Sequence, residues 1–231
     1  MIQIKNLVKK YNYVTVLNIK ELNISKGESF GLVGNNGAGK TTLFRLILDL
    51  IKSDNGEVLS KNVNVRESEE WKKYTTAFLD DSFLMDFLTP EEFFSFLSKI
   101  RNWSEDKLNR FYNYFAPFFN DEILGKEKYI RDLSKGNKQK VGIASTFIGD
   151  PEIIILDEPF LSLDPSSQIR LKTIINDYLK SENTTFLISS HDLSQITEVA
   201  SRIAILQKGE VKRDKITNSE TLAELHQYFA V

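Results

Sequence analysis

Apolar residues recur along this chain in two rhythms, and the changes of rhythm divide it into stretches of different character. Through residues 2–24 they alternate with polar ones in short runs (14–19 and 22–24), the period of a half-buried strand. Lys26-Gly27-Glu28 turns the chain into a continuous apolar run, Phe30-Gly31-Leu32-Val33. Leu43, Leu46, Ile47 and Leu50 then follow at helical spacing, until Lys52-Ser53-Asp54-Asn55-Gly56 breaks the pattern. Small strands are expected at 57–59 and 62–65, and a buried one at 74–79.

From Ser82 to Asn120 the rhythm is helical. Thr89-Pro90-Glu91-Glu92 carries an N-cap, a proline at the first helical position and the acidic partner of a capping box. The helix it starts should bury Phe93, Phe94, Phe96, Leu97 and Ile100. A second helix is expected from Ser104, with Glu105 and Asp106 at its positive end, carrying Leu108, Phe111, Tyr112 and Phe115 until Pro117 stops it. The two-rhythm pattern then returns, with a helix at 135–148 and buried strands at 153–156, 185–189 and 203–206. Helices alternating with buried strands predict an α/β fold with a mainly parallel sheet.

Composition narrows the function classes. The chain has 231 residues, a formal charge of −2 and a pI near 5.8, so no global basic field argues for nucleic acid or an anionic membrane. Without cysteine there is no disulfide, thiolate metal site or cysteine nucleophile. The first residues lack the apolar core of a signal peptide, and no apolar run approaches the ~20 residues of a membrane span. The expectation is a soluble, cytoplasmic protein.

The strand-like Phe30–Val33 run leads into Gly34-Asn35-Asn36-Gly37-Ala38-Gly39-Lys40-Thr41-Thr42, which fits the phosphate-binding loop pattern G-x-x-x-x-G-K-[ST]. The glycines let backbone N–H groups close on an anion, and the helix that follows presents unpaired donors and a positive dipole end. Lys40 can reach the β- and γ-phosphates, and the Thr41 hydroxyl suits Mg²⁺. The apolar strand at 153–156 ends in Asp157-Glu158. At the C-terminal edge of a parallel sheet such a pair faces the nucleotide crevice, where Asp157 can hold Mg²⁺ and Glu158 can deprotonate the attacking water.

A further segment, Leu133-Ser134-Lys135-Gly136-Asn137-Lys138-Gln139-Lys140, sits 23 residues before Asp157. Ser134 is a good N-cap and Gly136 leaves the backbone open. This segment resembles the LSGGQ signature of ABC-type ATPases, in a form similar to that of some exporter-type members. Other matches come in the family's order. Tyr11 is similar to the aromatic that stacks on adenine, with Tyr13 a rival. Leu161-Ser162-Leu163-Asp164-Pro165 resembles the D-loop, and Ser189-Ser190-His191-Asp192 the switch-histidine segment. His226 fits no motif.

The resemblance implies a P-loop NTPase core with an N-terminal antiparallel β subdomain (1–79 and 151–231) and a helical insert lobe (80–150) carrying the signature, together a single ABC-type ATPase domain. It implies ATP and Mg²⁺ as cofactors and hydrolysis through Lys40, Glu158 and His191. Ser134, Gly136 and Asp164 would meet the nucleotide of a second ATPase subunit, either a homodimer partner or a paralogue. A membrane-spanning permease would dock near the helical lobe and hold the chain at the inner face of the cell membrane. Alternative readings are a soluble ABC-type ATPase acting on ribosomes or DNA, and an ATP-binding regulatory module with little turnover. The single P-loop, the lack of a coiled coil and the acidic balance weigh against the first; Asp80 favours the second and Glu158 opposes it.

Two features depart from that family. Where it places a glutamine, eight residues before Leu88-Thr89, this chain has Asp80, which should either reach the metal through water or swing away. The signature reads Lys135-Gly136-Asn137 in place of Gly-Gly-Gln, a mild change. Twelve aromatics also fall within residues 83–119, more rings than two short helices can bury among themselves. Some, Phe83 and Phe87 among them, should form an apolar surface for the permease.

Overall fold

The computed structural model describes residues 1–181 and 183–230. The chain opens with β1 (Ile2–Tyr11) and β2 (Val14–Ile24), an antiparallel hairpin whose two-residue loop, Asn12-Tyr13, takes positive φ at both positions. That geometry matches the twist of the strands it joins. β2 is one strand where the sequence suggested two runs. Next come β3 (Ser29–Val33), α1 (Lys40–Ile47), β4 (Asn55–Ser60), β5 (Val63–Asn64) and β6 (Thr75–Phe78). The insert contributes α2 (Pro90–Ile100), α3 (Glu105–Phe119) and α4 (Lys135–Ser145). β7 (Ile153–Leu156), α5 (Pro165–Leu179), β8 (Thr185–Ser190), α6 (Leu193–Thr197), β9 (Arg202–Gln207), β10 (Glu210–Ile216) and α7 (Thr221–Phe229) complete the chain.

Two sheets result. One is antiparallel, in the order β2-β1-β4-β5; the other has six strands, β10-β9-β3-β8-β7-β6. In the second sheet only the β10–β9 pairing is antiparallel. β3, β7 and β8 are buried along their whole length, as expected of central parallel strands covered on both faces. One core lies between one face of this sheet and the helical insert with α5 and α6. The other lies between the opposite face, α1 and the antiparallel sheet. The predicted α/β fold, with its mainly parallel sheet, antiparallel β part and helical lobe, is the fold observed.

Three helix boundaries and one buried face differ from expectation. The helix expected at 135–148 ends at Ser145, because the N–H groups of Thr146, Phe147 and Ile148 bond three residues back, tightening the chain into turns. α1 stops at Ile47, and Leu50 is exposed rather than part of the apolar stripe. Asp49 takes a left-handed conformation (φ 48°), and its N–H and that of Leu50 bond back to the carbonyls of Leu46 and Arg45. This is a Schellman ending built on aspartate instead of glycine. Pro117 does not stop α3, which runs two residues further to a left-handed Asn120. So near the end the ring costs one backbone bond, offset by burial of Phe118 and Phe119. In α2, Phe93 and Phe94 are buried, but Phe96 (40% exposed) and Ile100 (58%) share the outward face, being four residues apart. β10 and α7 were not foreseen. β10 is a largely exposed edge strand, and α7 fully buries only Thr221 and Leu225.

The insert holds its rings by sharing a core with the sheet. Phe94 sits 5.2 Å from Phe111, edge-on, and 5.8 Å from Phe119. Phe115 continues to Phe147 at 5.2 Å, and Phe147 meets Tyr178 of α5 and Phe186 of β8. Phe83 (51% exposed) and Phe87 (65%) stay outside, as expected from the sequence. Phe94→Ala should therefore cost about 3–5 kcal/mol of stability, whereas Phe96→Ala should stay within about 0.5 kcal/mol. Denaturant titration of the two variants checks the contrast.

Candidate nucleotide site

Three neighbouring parallel strands, β3, β8 and β7, deliver their C-terminal ends to one edge of the sheet. The loop after β3 carries Gly34 to Thr41, the exit of β7 carries Asp157 and Glu158, and the exit of β8 carries His191. A cleft of about 260 Å³ lies there, lined by Val16, residues 35–42 and Glu158. Gly34 admits no side chain, because a Cβ would lie 2.3 Å from the Leu206 carbonyl oxygen. Gly39 (φ 108°) turns the loop into α1, whose N-terminus has no side-chain cap and no acidic residue in its first turn. Ala38 N–H bonds to Asn35 O, whereas the first-turn amides of α1 lack intrahelical partners by construction. Thr42 lines the cleft beside them, and Asn35, Asn36 and Gly37 are exposed at its mouth.

The charged groups are closed on one another. Lys40 is buried, and its Nζ donates to the Gly34 carbonyl at 2.7 Å while lying 3.1 Å from Glu158 Oε1. Glu158 Oε2 is 2.8 Å from His191 Nδ1 and accepts from the His191 N–H at 3.2 Å. Glu158 itself has φ 49°, a conformation that costs a non-glycine residue energy and recurs at functional sites. Asp157 is buried. Its Oδ2 accepts from the Thr41 hydroxyl at 2.5 Å and its Oδ1 from the Ser189 hydroxyl. Burial pushes its carboxyl above the usual range; the two hydroxyls and Lys40 pull it back, and the neighbouring Glu158 adds to the rise.

These donors fit a nucleotide with Mg²⁺. The uncapped helix N-terminus and Lys40 suit phosphate. Thr41 and Asp157 place one hydroxyl and one carboxylate together, hard oxygens of the kind Mg²⁺ takes alongside phosphates and water. Among the described residues, no group of three or more His, Cys, Asp or Glu could hold a metal.

The other sequence candidates lie around this centre. Tyr11 is the last residue of β1, half-exposed, with Lys9 Nζ 5.0 Å from its ring, and it does not line the cleft. Tyr13 is fully exposed at the hairpin tip. Asp80 lines an adjoining hollow of about 270 Å³ with Asp157, Glu158 and Gln139. Its carboxylate is turned onto the backbone and hydroxyl of Ser82, 3.8 Å from Arg45. Ser134 caps α4 through the Asn137 N–H at 3.2 Å, and neither it nor Gly136 lines the cleft at Lys40. Asp164 caps α5, and hydrogen bonds from Ser166 and Ser167 hold its carboxyl well below the usual range.

Sequence reasoning assigned no role to Ser189, which bonds the Asp157 carboxylate and accepts from the Glu158 N–H at 2.9 Å. Its signal was a hydroxyl at the end of a buried strand, readable only once β8 is known to lie beside β7.

The comparisons with known proteins agree with this geometry. The family model described as ABC transporter matches residues 17–161. The lantibiotic transport ATP-binding protein SrtF of Streptococcus pyogenes is 32% identical, covering 97% of this chain and 95% of its own length. The bacitracin transport ATP-binding protein BcrA of Enterococcus faecalis is 31% identical over 98% of this chain and 71% of its own. An ABC transporter ATP-binding protein of Synechocystis is 34% identical over 85% of this chain, which spans little more than half (56%) of that relative. A solved ATP-binding subunit of an ABC transporter superposes with TM-score 0.84 at 27% identity, covering 100% of this chain and 93% of its own. On fold, site and kinship together, the chain belongs to the ABC transporter family, as one of its ATP-binding, ATPase chains.

Proposed function

We propose that the chain is the ATP-hydrolysing subunit of an exporter-type ABC transporter, two copies (or this chain and a paralogue) closing around two ATPs to drive a separate permease. The observation that carries this reading is the convergence of Lys40, Thr41, Asp157, Glu158 and His191 on one sheet edge. Residues 1–79 and 151–231 would serve as the nucleotide core and 80–150 as the lobe that meets partners. The names of SrtF and BcrA concern transport of lantibiotics and bacitracin, which supports a transport-coupled role. Export rather than import is supported by the form of the signature segment.

In this mechanism Thr41 and Asp157 would hold Mg²⁺, which would supply charge neutralisation to the nucleotide's phosphates. Lys40 exchanges its Glu158 partner for phosphate. Glu158, freed from that pair, takes the proton of the attacking water, and His191 orients it. The P-loop amides and Thr42 hold the phosphates, with Tyr11 against adenine. Ser134 and Gly136 face the nucleotide of the second copy, since the Ser134 loop lies off the cleft of its own chain, and Asp164 lies in the segment behind them. A solved dimeric ATP-binding cassette with ADP and phosphate shares this fold at TM-score 0.81 and 22% identity.

The chain would sit in the cytoplasm, at the inner face of the membrane through its permease. No helix among the described residues is long and apolar enough to cross a membrane. The docking surface would be the groove of about 370 Å³ between the sheet edge and the lobe, lined by Phe83, Leu84, Met85, Phe93, Leu97 and Arg101 among others. Exposed rings beside a groove favour an apolar helical partner.

Three outcomes test this. Glu158→Gln should lower steady-state hydrolysis by about 10²–10⁴-fold while retaining equilibrium MgATP binding, the effect of losing a general base. Asp80→Gln should alter the Mg²⁺ concentration needed for half-maximal hydrolysis; an unchanged metal dependence and rate would remove Asp80 from the metal's surroundings. Phe87→Glu should abolish co-purification with the permease from native membranes without changing MgATP affinity.

A further inference from the structure

The signature helix α4 grips the segment that carries Glu158 along a single face. Gly136, Gln139 and Lys140 stand three and four residues apart, so they share that face. At Gly136 a Cβ would lie 2.8 Å from the Ser162 carbonyl oxygen, so the two backbones are in direct contact. Gln139 Nε2 donates to the carbonyls of Glu158 and Pro159, at 3.3 Å each. Lys140 is 2% exposed, and its Nζ lies 3.3 Å from Asp164 and 3.3 Å from Glu122. The gripped segment, residues 158–164, begins with the left-handed Glu158 and contains a second left-handed residue, Ser162. Its far side is held by Gln168, whose amide donates to Phe160 O and Leu163 O and accepts from Gln195 of α6 at 3.0 Å.

A buried ammonium is costly and a hydrophobic replacement is often better for stability. Lys140 is buried at the junction of the signature helix with this segment. We infer that Lys140 is a positioning residue: through the Gly136–Gln139–Lys140 face, engagement of the Ser134 loop by a second copy's nucleotide is transmitted to Glu158 of the same chain. The inference rests on the two-copy reading above. The segment and the first turns of α4 then shift as one body, and the Glu158–Lys40 pair opens when the Ser134 loop is engaged. Asp164 acts here from inside its own chain, as the anchor for Lys140 and the cap of α5.

The test uses the full-length chain, with MgATP as ligand, and compares Lys140→Met, Lys140→Arg and Gln139→Met with wild type. The expected result for Lys140→Met is a kcat at least about tenfold lower with MgATP affinity changed by less than about twofold, a loss confined to the transition state. Lys140→Arg should recover most of that loss, because the charge and its reach to Asp164 are kept. Gln139→Met, at a half-buried position where folding is not at stake, should lower kcat by about threefold with affinity again unchanged. A kcat within about twofold of wild type in Gln139→Met and in folded Lys140→Met overturns the inference. So does a parallel fall in MgATP affinity that arginine does not rescue, since that would make Lys140 purely structural. A wild-type specific activity that does not rise with chain concentration strikes the two-copy reading, and this inference with it. Unchanged variants of a concentration-dependent wild type strike this inference alone.

Discussion

The buried carboxylate of Asp157 ties the ends of three adjacent strands to one another. It stands at the exit of β7 and accepts from Thr41, beyond β3, and from Ser189, at the end of β8. Taking a carboxylate out of water costs several kcal/mol unless it is paired, and burial raises its pKa accordingly. Two neutral hydroxyls compensate only in part. The charge is therefore held in a place that a stability-driven sequence would fill with an apolar residue, the usual mark of a group kept for chemistry. Because the parallel register fixes where β3, β7 and β8 end, this one acceptor fixes the spacing of the phosphate loop against the acidic pair.

The same economy governs Lys40. Its ammonium is buried against the Gly34 carbonyl and Glu158, while Glu158 also meets His191. A buried cation without partners would be far more costly, and the Gly34 carbonyl and Glu158 supply those partners from within the chain. Phosphate can replace Glu158 at Lys40, because it brings more charge and takes up the helix amides as well. In the proposed mechanism the carboxylate then released is the one that acts on water. Binding and activation thus draw on a single exchange of partners, which costs less than creating a free base in advance.

Much of this was legible in the sequence because each motif is local. A strand exit, a glycine loop and a helix start are read within a dozen residues, and the parallel sheet gathers such exits at one edge. The corrected elements failed for equally local reasons. Asp49 does the work of a C-terminal glycine, Pro117 falls where only one backbone bond is at stake, and α2 is apolar on both faces, so periodicity alone could not say which face is buried. The contacts that link motifs were hidden. Lys140 to Asp164, Gln139 to Glu158 and Gln168 to Gln195 join positions with no periodic relation. Only the packed fold reveals them.

The rings of the insert show why those links can carry motion. Two short helices with a core of their own would rock against the sheet, since small units bury too little surface to be rigid. Here Phe115, Phe147 and Phe186 form a continuous path of rings from α3 through the segment after α4 into β8. Dense cores are bistable rather than continuously deformable and pass small displacements onward. The insert is thereby stiffened against the strand whose exit carries His191, while the polar face of α4 holds the segment that begins at Glu158. A push at the Ser134 loop meets a rigid lever on one side and a hydrogen-bonded strap on the other, and both lead to the same carboxylate.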